Sequence, residues 1–241
     1  PFDQGSAQML GRLGLVTFKV SSGELTNLPL LRLLGGLGRK WIVSTGMSTL
    51  SQIEQALKAL EQGGAHQQGI VLLQCTTQYP TPYEDIHLAA MDTLRREFGV
   101  AVGLSDHSEG VEVALAAVAL GAVIIEKHFT LDKSLPGPDH KASVLPHELA
   151  QMIRGIRRVE QAIGSPEKRV LEGERPNEVA ARKSLHLTRS LPKGNQLEAD
   201  DLQLMRPGDG LPASALTELS GFRLVQDLPS GHKLQWSDLV R

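Results

Sequence analysis

Short apolar runs recur along the chain as far as Gly164, and a stretch with helical spacing follows most of them. Val16 to Val20, Ile42 to Ser44, Ile70 to Gln74, Val100 to Leu104 and Val123 to Ile125 are short and apolar, as strands buried on both faces are. Between them the period lengthens. Thr49 with Gln52 forms a capping box, and Ile53, Ala56, Leu57 and Leu60 follow on one face. Val111 to Leu120 reads as a buried, Ala-rich helix. Leu149, Met152, Ile153 and Ile156 repeat the amphipathic spacing, and Gly164 supplies a stop. Strands alternating with helices at intervals of about 25 to 30 residues predict an α/β fold with a parallel sheet or barrel. Five strands are too few to close an eight-stranded barrel. The expectation is therefore the C-terminal portion of a (β/α)8 TIM barrel over residues 1–164, with roughly three β/α units absent from the front.

The pattern changes after Gly164. Ser165 to Asn177 is charged, carries Pro166 and Pro176 and lacks apolar periodicity, so residues 165–182 read as a linker. Residues 183–241 form short, turn-rich segments. Leu185 to Thr188, Leu202 to Met205 and Leu224 to Gln226 predict a small β-rich module. Leu191-Pro192-Lys193-Gly194 and Leu228-Pro229-Ser230-Gly231 look like related turns with similar tails, a hint of internal duplication.

Composition narrows the function classes. The 241 residues carry a net charge of −2, which gives no electrostatic footing for nucleic acid or an anionic membrane. Cys75 is the single cysteine, so no internal disulfide forms, which fits a reducing cytoplasm. No apolar run approaches membrane length and no secretory signal is visible. Pro1-Phe2-Asp3 has no initiator Met, which suggests a truncated or processed start.

The candidate chemistry sits where strands end. Ser105-Asp106-His107 and Glu126-Lys127-His128-Phe129-Thr130 each close an apolar run, with one helix between them. That order puts His107 and His128 at the same ends of neighbouring parallel strands. In a (β/α)8 barrel those ends form the active-site rim, and two imidazoles converging there suggest a metal site. Asp106 either orients an imidazole or caps the next helix. Lys19, inside an apolar strand, is not a solvated surface lysine. Cys75 reads as packing.

These motifs reach a family. Phe18-Lys19-Val20-Ser21-Ser22-Gly23-Glu24, Ser44-Thr45-Gly46-Met47, Gln74-Cys75-Thr76-Thr77, Tyr79-Pro80-Thr81-Pro82-Tyr83, the two histidine motifs and Pro136-Gly137-Pro138-Asp139-His140 together resemble the sialic acid synthases. That family makes N-acetylneuraminic, legionaminic and pseudaminic acids. Met205-Arg206-Pro207-Gly208 resembles its C-terminal SAF domain, a β-clip also called antifreeze-like. The resemblance implies a transferase that condenses phosphoenolpyruvate with N-acetylmannosamine or a 2,4-diacetamido-trideoxyhexose, giving a nine-carbon 2-keto acid and phosphate. It implies His107 and His128 as ligands of a divalent metal, Mn2+ first and Mg2+ or Co2+ otherwise. Lys19, Ser22, Ser44, Thr77 and Ser105 match phosphoenolpyruvate contacts, Thr77 standing where family members often have Asn or Ser. Tyr79 and Asp139 match sugar contacts. Glu24, His128 and Asp139 make up the implied catalytic set. Arg206 matches an arginine that reaches the partner's barrel and touches the N-acyl group in a domain-swapped homodimer. Two other readings remain: an incomplete fragment serving as a carbohydrate-binding or dimerising module, and a metal-dependent aldolase using pyruvate.

Overall fold

In the computed structural model, which describes residues 1–241, five parallel strands stand side by side in chain order. They are β1 (Thr17–Val20), β2 (Lys40–Ser44), β3 (Ile70–Cys75), β4 (Ala101–Asp106) and β5 (Ile125–Lys127). Strict sequential order means that every crossover joins adjacent strands. The handedness of such crossovers then carries the helices to one side, as in an arc of a barrel and unlike a doubly wound sheet whose order reverses. The connecting helices are α1 (Gln4–Arg12), α2 (Leu28–Leu37), α3 (Leu50–Gly63), α4 (Ala90–Phe98), α5 (Glu112–Ala119) and α6 (Pro146–Ile163). These elements form one compact unit, Pro1–Gly164, and Ser165–Arg241 forms another.

The first unit's core lies between the strands and their helices. Phe18, Val20, Trp41, Val43, Leu72 and Leu104 meet Leu30, Leu34, Ile53, Leu60 and Met91, all buried. The Trp41 indole is fully enclosed, and its Nε1–H donates to the Leu34 carbonyl at 2.9 Å, so its one polar atom is satisfied. Helices α2 and α3 approach closely because Gly35 and Gly63 face each other's backbone. A Cβ on either would run into the carbonyl of Leu60 or Arg32.

Local signals account for most helix boundaries. The Thr49–Gln52 capping box opens α3, and Gly64 in the left-handed region (φ 112°) closes it. Gly164, with φ 54°, ends α6 as the sequence predicts. Helix α1 was not foreseen. The Asp3 carboxylate starts it by accepting the Ser6 amide at 2.8 Å and the Ser6 hydroxyl at 2.6 Å. Strand β5 lies two residues later than the apolar run Val123 to Ile125, and so includes Glu126 and Lys127.

The start of α6 gives a stability prediction. The Glu148 carboxylate accepts the Leu145 amide at 2.7 Å and the Lys133 ammonium at 2.9 Å, and these contacts hold its pKa below the ordinary glutamate value. A carboxylate with a lowered folded pKa adds stability above its unfolded pKa and loses it as pH falls through the folded one. Glu148→Gln keeps an acceptor for the amide but drops the charge. It should therefore cost a few tenths to about 1 kcal/mol near pH 7. Urea melts should show this gap closing as pH falls below the ordinary glutamate range; a gap independent of pH would contradict the account.

Residues 165–182, expected as a linker, carry some local structure. A 3-10 turn, Glu172–Glu174, and α7 (Arg175–Ala181) lie inside residues 165–182. Pro176 falls in the first turn of α7, where it starts a helix and does not break one. Strands β6 (Ser184–Leu187) and β7 (Leu202–Met205) pair antiparallel, as do β8 (Arg223–Leu224) and β9 (Leu239–Val240). The run Leu224 to Gln226 contributes only its first residue to a strand.

The hinted duplication is structural. Gly194 and Gly231 turn with φ of 82° and 79°. Asp201 and Asp238, both buried, accept amides three residues upstream, from Glu198 at 3.1 Å and Gln235 at 2.9 Å. The Leu187 amide donates to the His232 carbonyl and the Leu224 amide to Asn195, and Leu191 and Leu228 pair with each other through two bonds of 2.9 Å. A leucine core with Leu185, Leu187, Leu224 and Leu234 lies between the halves. No helix in the chain is long and apolar enough to cross a membrane.

Candidate active site

A contact between the outer strands defines the site. Lys19 Nζ on β1 lies 3.2 Å from Glu126 Oε2 on β5. In a flat sheet, strands about 4.8 Å apart would leave these backbones roughly 19 Å apart. The sheet must therefore curl strongly for the two side chains to meet, and the curl turns the carboxyl ends of the strands toward a common cleft.

The cleft, about 200 Å³, is lined by Lys19, Ser21, Ser22, Ser44, Cys75, Thr77, Tyr79, Ser105, Glu126 and the two histidines. Parallel strands in register place successive residues at matching heights. Ser105 pairs with Glu126 across β4 and β5, and its hydroxyl donates to Glu126 Oε1 at 2.9 Å. Ser22 lies in the turn after β1, and its Oγ accepts the Gly46 amide at 3.0 Å. Gly46 has no room for a side chain, because a Cβ would strike Thr77 Oγ1 and come within 2.8 Å of Ser22 Oγ.

Three hydroxyls lack any partner: Ser21 Oγ, Ser44 Oγ and Thr77 Oγ1 are buried and unbonded, and all line this cleft. Orphaned buried hydroxyls carry a desolvation cost, so three in one cleft beside a lysine indicate a place for a polar, anionic ligand.

The two imidazoles line the same cleft. Their ring centroids are 5.1 Å apart with planes at 82°. His107 Nδ1 lies 2.9 Å from the Thr76 carbonyl, which assigns the proton to Nδ1 and leaves the Nε2 lone pair free. Burial weighs against the His107 cation, yet contacts with Cys75 and the Thr76 carbonyl, with Glu126 nearby, hold its pKa above the ordinary value. His128 is pushed the other way, by burial first and then by His107. The Tyr79 ring stacks 4.2 Å from His107 and 5.6 Å from His128, and burial raises its phenol pKa. Asp139 Oδ2 stands 3.7 Å from His128 Nδ1. Its loop is held by Thr130 Oγ1 against His140 Nδ1 at 2.8 Å and by the Ser143 hydroxyl donating to the Asp139 carbonyl at 2.8 Å.

No group of three or more His, Cys, Asp or Glu side chains converges on one point in the chain. The donor set of the cleft is two imidazoles, one with its distal nitrogen freed by a backbone carbonyl. That set suits a divalent cation whose other positions go to water and substrate oxygens.

Of the residues singled out from the sequence, Lys19, Ser22, Ser44, Thr77, Tyr79, Ser105, His107 and His128 line the cleft together. Asp139 flanks it through His128. Glu24 does not line it: it ends the short turn after β1, and its carboxylate accepts the Asn27 amide group at 2.7 Å. Arg206 belongs to the second unit, where its Nε donates to the Ala181 carbonyl at 3.0 Å and no carboxylate pairs with it.

Asp106 neither touches an imidazole nor caps α5, because its carboxylate is committed elsewhere. One oxygen accepts the Ser108 amide and hydroxyl, and the other pairs with Lys127 at 2.9 Å. The group bonded to the His107 ring is the carbonyl of Thr76. Glu126 went unassigned from sequence, although its motif had been singled out. A glutamate inside a strand and opposite Ser105 was the available signal.

Residues 1–168 match the NeuB family and residues 182–240 the SAF domain. The chain belongs to the NeuB family. Among its relatives, the N,N'-diacetyllegionaminic acid synthase of Campylobacter jejuni is 46% identical over 92% of this chain and 66% of its own length. The synthase of that name from Legionella pneumophila is 42% identical over 99% of this chain and 67% of its own length. The crystal structure of the spore coat polysaccharide biosynthesis protein SpsE of Bacillus subtilis matches with a TM-score of 0.63 and 33% identity, covering 99% of this chain and 72% of that one. The chain thus spans about two thirds of the length of these NeuB relatives. Its parallel sheet is the corresponding arc of their TIM barrel, followed by a SAF domain.

Proposed function

We propose that this chain carries the phosphoenolpyruvate and metal sites of a sugar-acid synthase that joins phosphoenolpyruvate to an N-acylated hexosamine. The observation that carries the proposal is one small cleft lined by Lys19, three unpartnered hydroxyls and two imidazoles. The names of the Campylobacter and Legionella relatives favour an acceptor bearing two acetamido groups, a 2,4-diacetamido-trideoxyhexose, over N-acetylmannosamine.

The cleft divides the work. Lys19 gives phosphoenolpyruvate a cation, and Ser22, Ser44, Thr77 and Ser105 give it hydroxyls, of which those of Ser44 and Thr77 are otherwise orphaned. Lys19 exchanges Glu126 for the ligand as it binds, which frees a carboxylate beside the reacting carbons. The Thr76 carbonyl keeps the His107 proton on Nδ1, and Tyr79 keeps both rings in place. A divalent cation on His107 and His128, Mn2+ in preference to Mg2+ or Co2+, supplies Lewis-acid polarisation of the acceptor's aldehyde oxygen. C3 of the enol then attacks the aldehyde, water adds at C2, and C–O cleavage releases phosphate. Asp139 and Tyr79 contact the sugar, whereas Glu24, bonded to Asn27 and absent from the cleft lining, is left without a step.

Arg206 extends the reading to a homodimer working in the cytoplasm, in which a second copy presents this guanidinium to the N-acyl group. Its Nη atoms have no carboxylate partner of their own, which leaves them available. Arg206→Ala should raise the apparent KM for the sugar about tenfold, as expected for a lost charged hydrogen bond, with little change for phosphoenolpyruvate. Equal effects on both substrates would remove Arg206 from the sugar site.

The deciding experiment is phosphate release from phosphoenolpyruvate by the full-length gene product with Mn2+ and a panel of N-acylated hexosamines. Release that needs both metal and sugar supports the proposal. No release with any member of the panel overturns it.

A further inference from the structure

One buried charge pair remains without a role in binding or proton transfer. Asp106 and Lys127 are joined at 2.9 Å with side chains 1% and 2% exposed. Each precedes a histidine by one residue: Asp106 leads into His107 at the end of β4, and Lys127 leads into His128 at the end of β5. The two residues stand opposite each other in the β4–β5 register. Both charges are fully engaged, since Lys127 Nζ also donates to the Ser108 carbonyl at 2.5 Å and Asp106 accepts from Ser108 twice.

Such a pair is an expensive way to hold strands together, because desolvation of two charges offsets much of their attraction, and apolar residues often do as well. What it offers is a fixed length. The two strands meet over only three residue pairs, Leu104 to Asp106 against Ile125 to Lys127. Backbone pairing therefore ends where the imidazoles begin, and the ion pair is the last tie before them. We infer that Asp106 and Lys127 are positioning residues that set the separation and orientation of His107 and His128 for a divalent cation. The inference rests on the metal reading of the cleft proposed above.

The test is Mn2+ binding, followed by calorimetry and by the Mn2+ spin-resonance signal, in the full-length protein. The double variant Asp106→Asn with Lys127→Met keeps the volumes and the two Ser108 bonds that Asp106 accepts, while removing the tie and the Lys127 bond to the Ser108 carbonyl. It should bind Mn2+ at least about tenfold more weakly, in the range seen when outer supports of metal ligands are lost. Phosphoenolpyruvate affinity without metal should stay within about twofold, because none of its proposed contacts touches the pair. Asp106→Glu, which keeps both charges and lengthens the tie, should also weaken Mn2+ binding and alter the signal, and it covers the case in which the double variant does not fold. A folded variant of either kind with wild-type Mn2+ affinity and only a lowered melting temperature would show that the pair serves stability alone and overturn the inference. If the wild type takes up no Mn2+ in this cleft, the inference and the metal reading fall together. Wild-type Mn2+ binding retained in the variants defeats the inference only.

Discussion

His107→Ala should abolish metal-dependent phosphate release, lowering kcat by at least about a thousandfold, while phosphoenolpyruvate binding survives. The size follows from the donor set. A site with several protein ligands can lose one and keep its cation, but this cleft offers two imidazoles and no convergent third side chain. Polarisation of the aldehyde by the cation is worth several kcal/mol of barrier, and each 1.36 kcal/mol is about a factor of ten in rate. The same variant strips the Thr76 carbonyl of the donor at 2.9 Å, so a modest loss of stability should accompany the loss of rate. His128→Ala should match it in rate but not in stability, because the His128 imidazole makes no hydrogen bond to the backbone. Calorimetry with phosphoenolpyruvate alone separates a lost cation from a collapsed wall: an unchanged Kd marks the former. Release that persisted in His107→Ala with added Mn2+ would end the two-imidazole assignment.

Much of this site was legible in the residues because parallel strands buried on both faces announce themselves as apolar runs, and the polar residues that end them fall at a barrel rim. What could not be read was which polar groups would meet. Strand β5 begins two residues late because Glu126 and Lys127 can sit in a strand only with partners to receive them. Those partners, Lys19 and Asp106, lie 107 and 21 residues away in sequence and are brought near by curvature and register. Asp106 showed the same limit: its carboxylate went neither to an imidazole nor to a helix cap but to a partner on the next strand. In the second unit the reverse held. Two related turns were visible because duplication preserves local chemistry, whereas α7 was hidden in a charged stretch whose prolines read as breakers.

Lys19→Met carries the second large effect. Lys19 is the one lysine or arginine among the residues lining the cleft. Methionine keeps much of the length and the apolar stem, so packing within β1 changes little. The ion pair itself contributes only about 1 kcal/mol or less to folding, since both side chains remain about a third exposed, at 33% and 35%. The melting temperature should therefore move by only a few degrees. Phosphoenolpyruvate binding should suffer far more, for two reasons that add. The ligand loses a charge-assisted bond worth roughly 1.5 to 3 kcal/mol, and Glu126, left with Ser105 alone, now presents an unbalanced negative charge to an incoming anion. Together these should raise the KM for phosphoenolpyruvate about a hundredfold or more, with Mn2+ affinity unchanged. Lys19→Met combined with Glu126→Gln separates the two contributions. Removing the carboxylate's charge should recover part of the affinity but not all of it, and the double-mutant cycle measures the remainder. A KM that rises less than about threefold in Lys19→Met would mean that the anion is held by the hydroxyls and backbone alone, and that the pairing of Lys19 with Glu126 serves only to hold the curled sheet at its mouth.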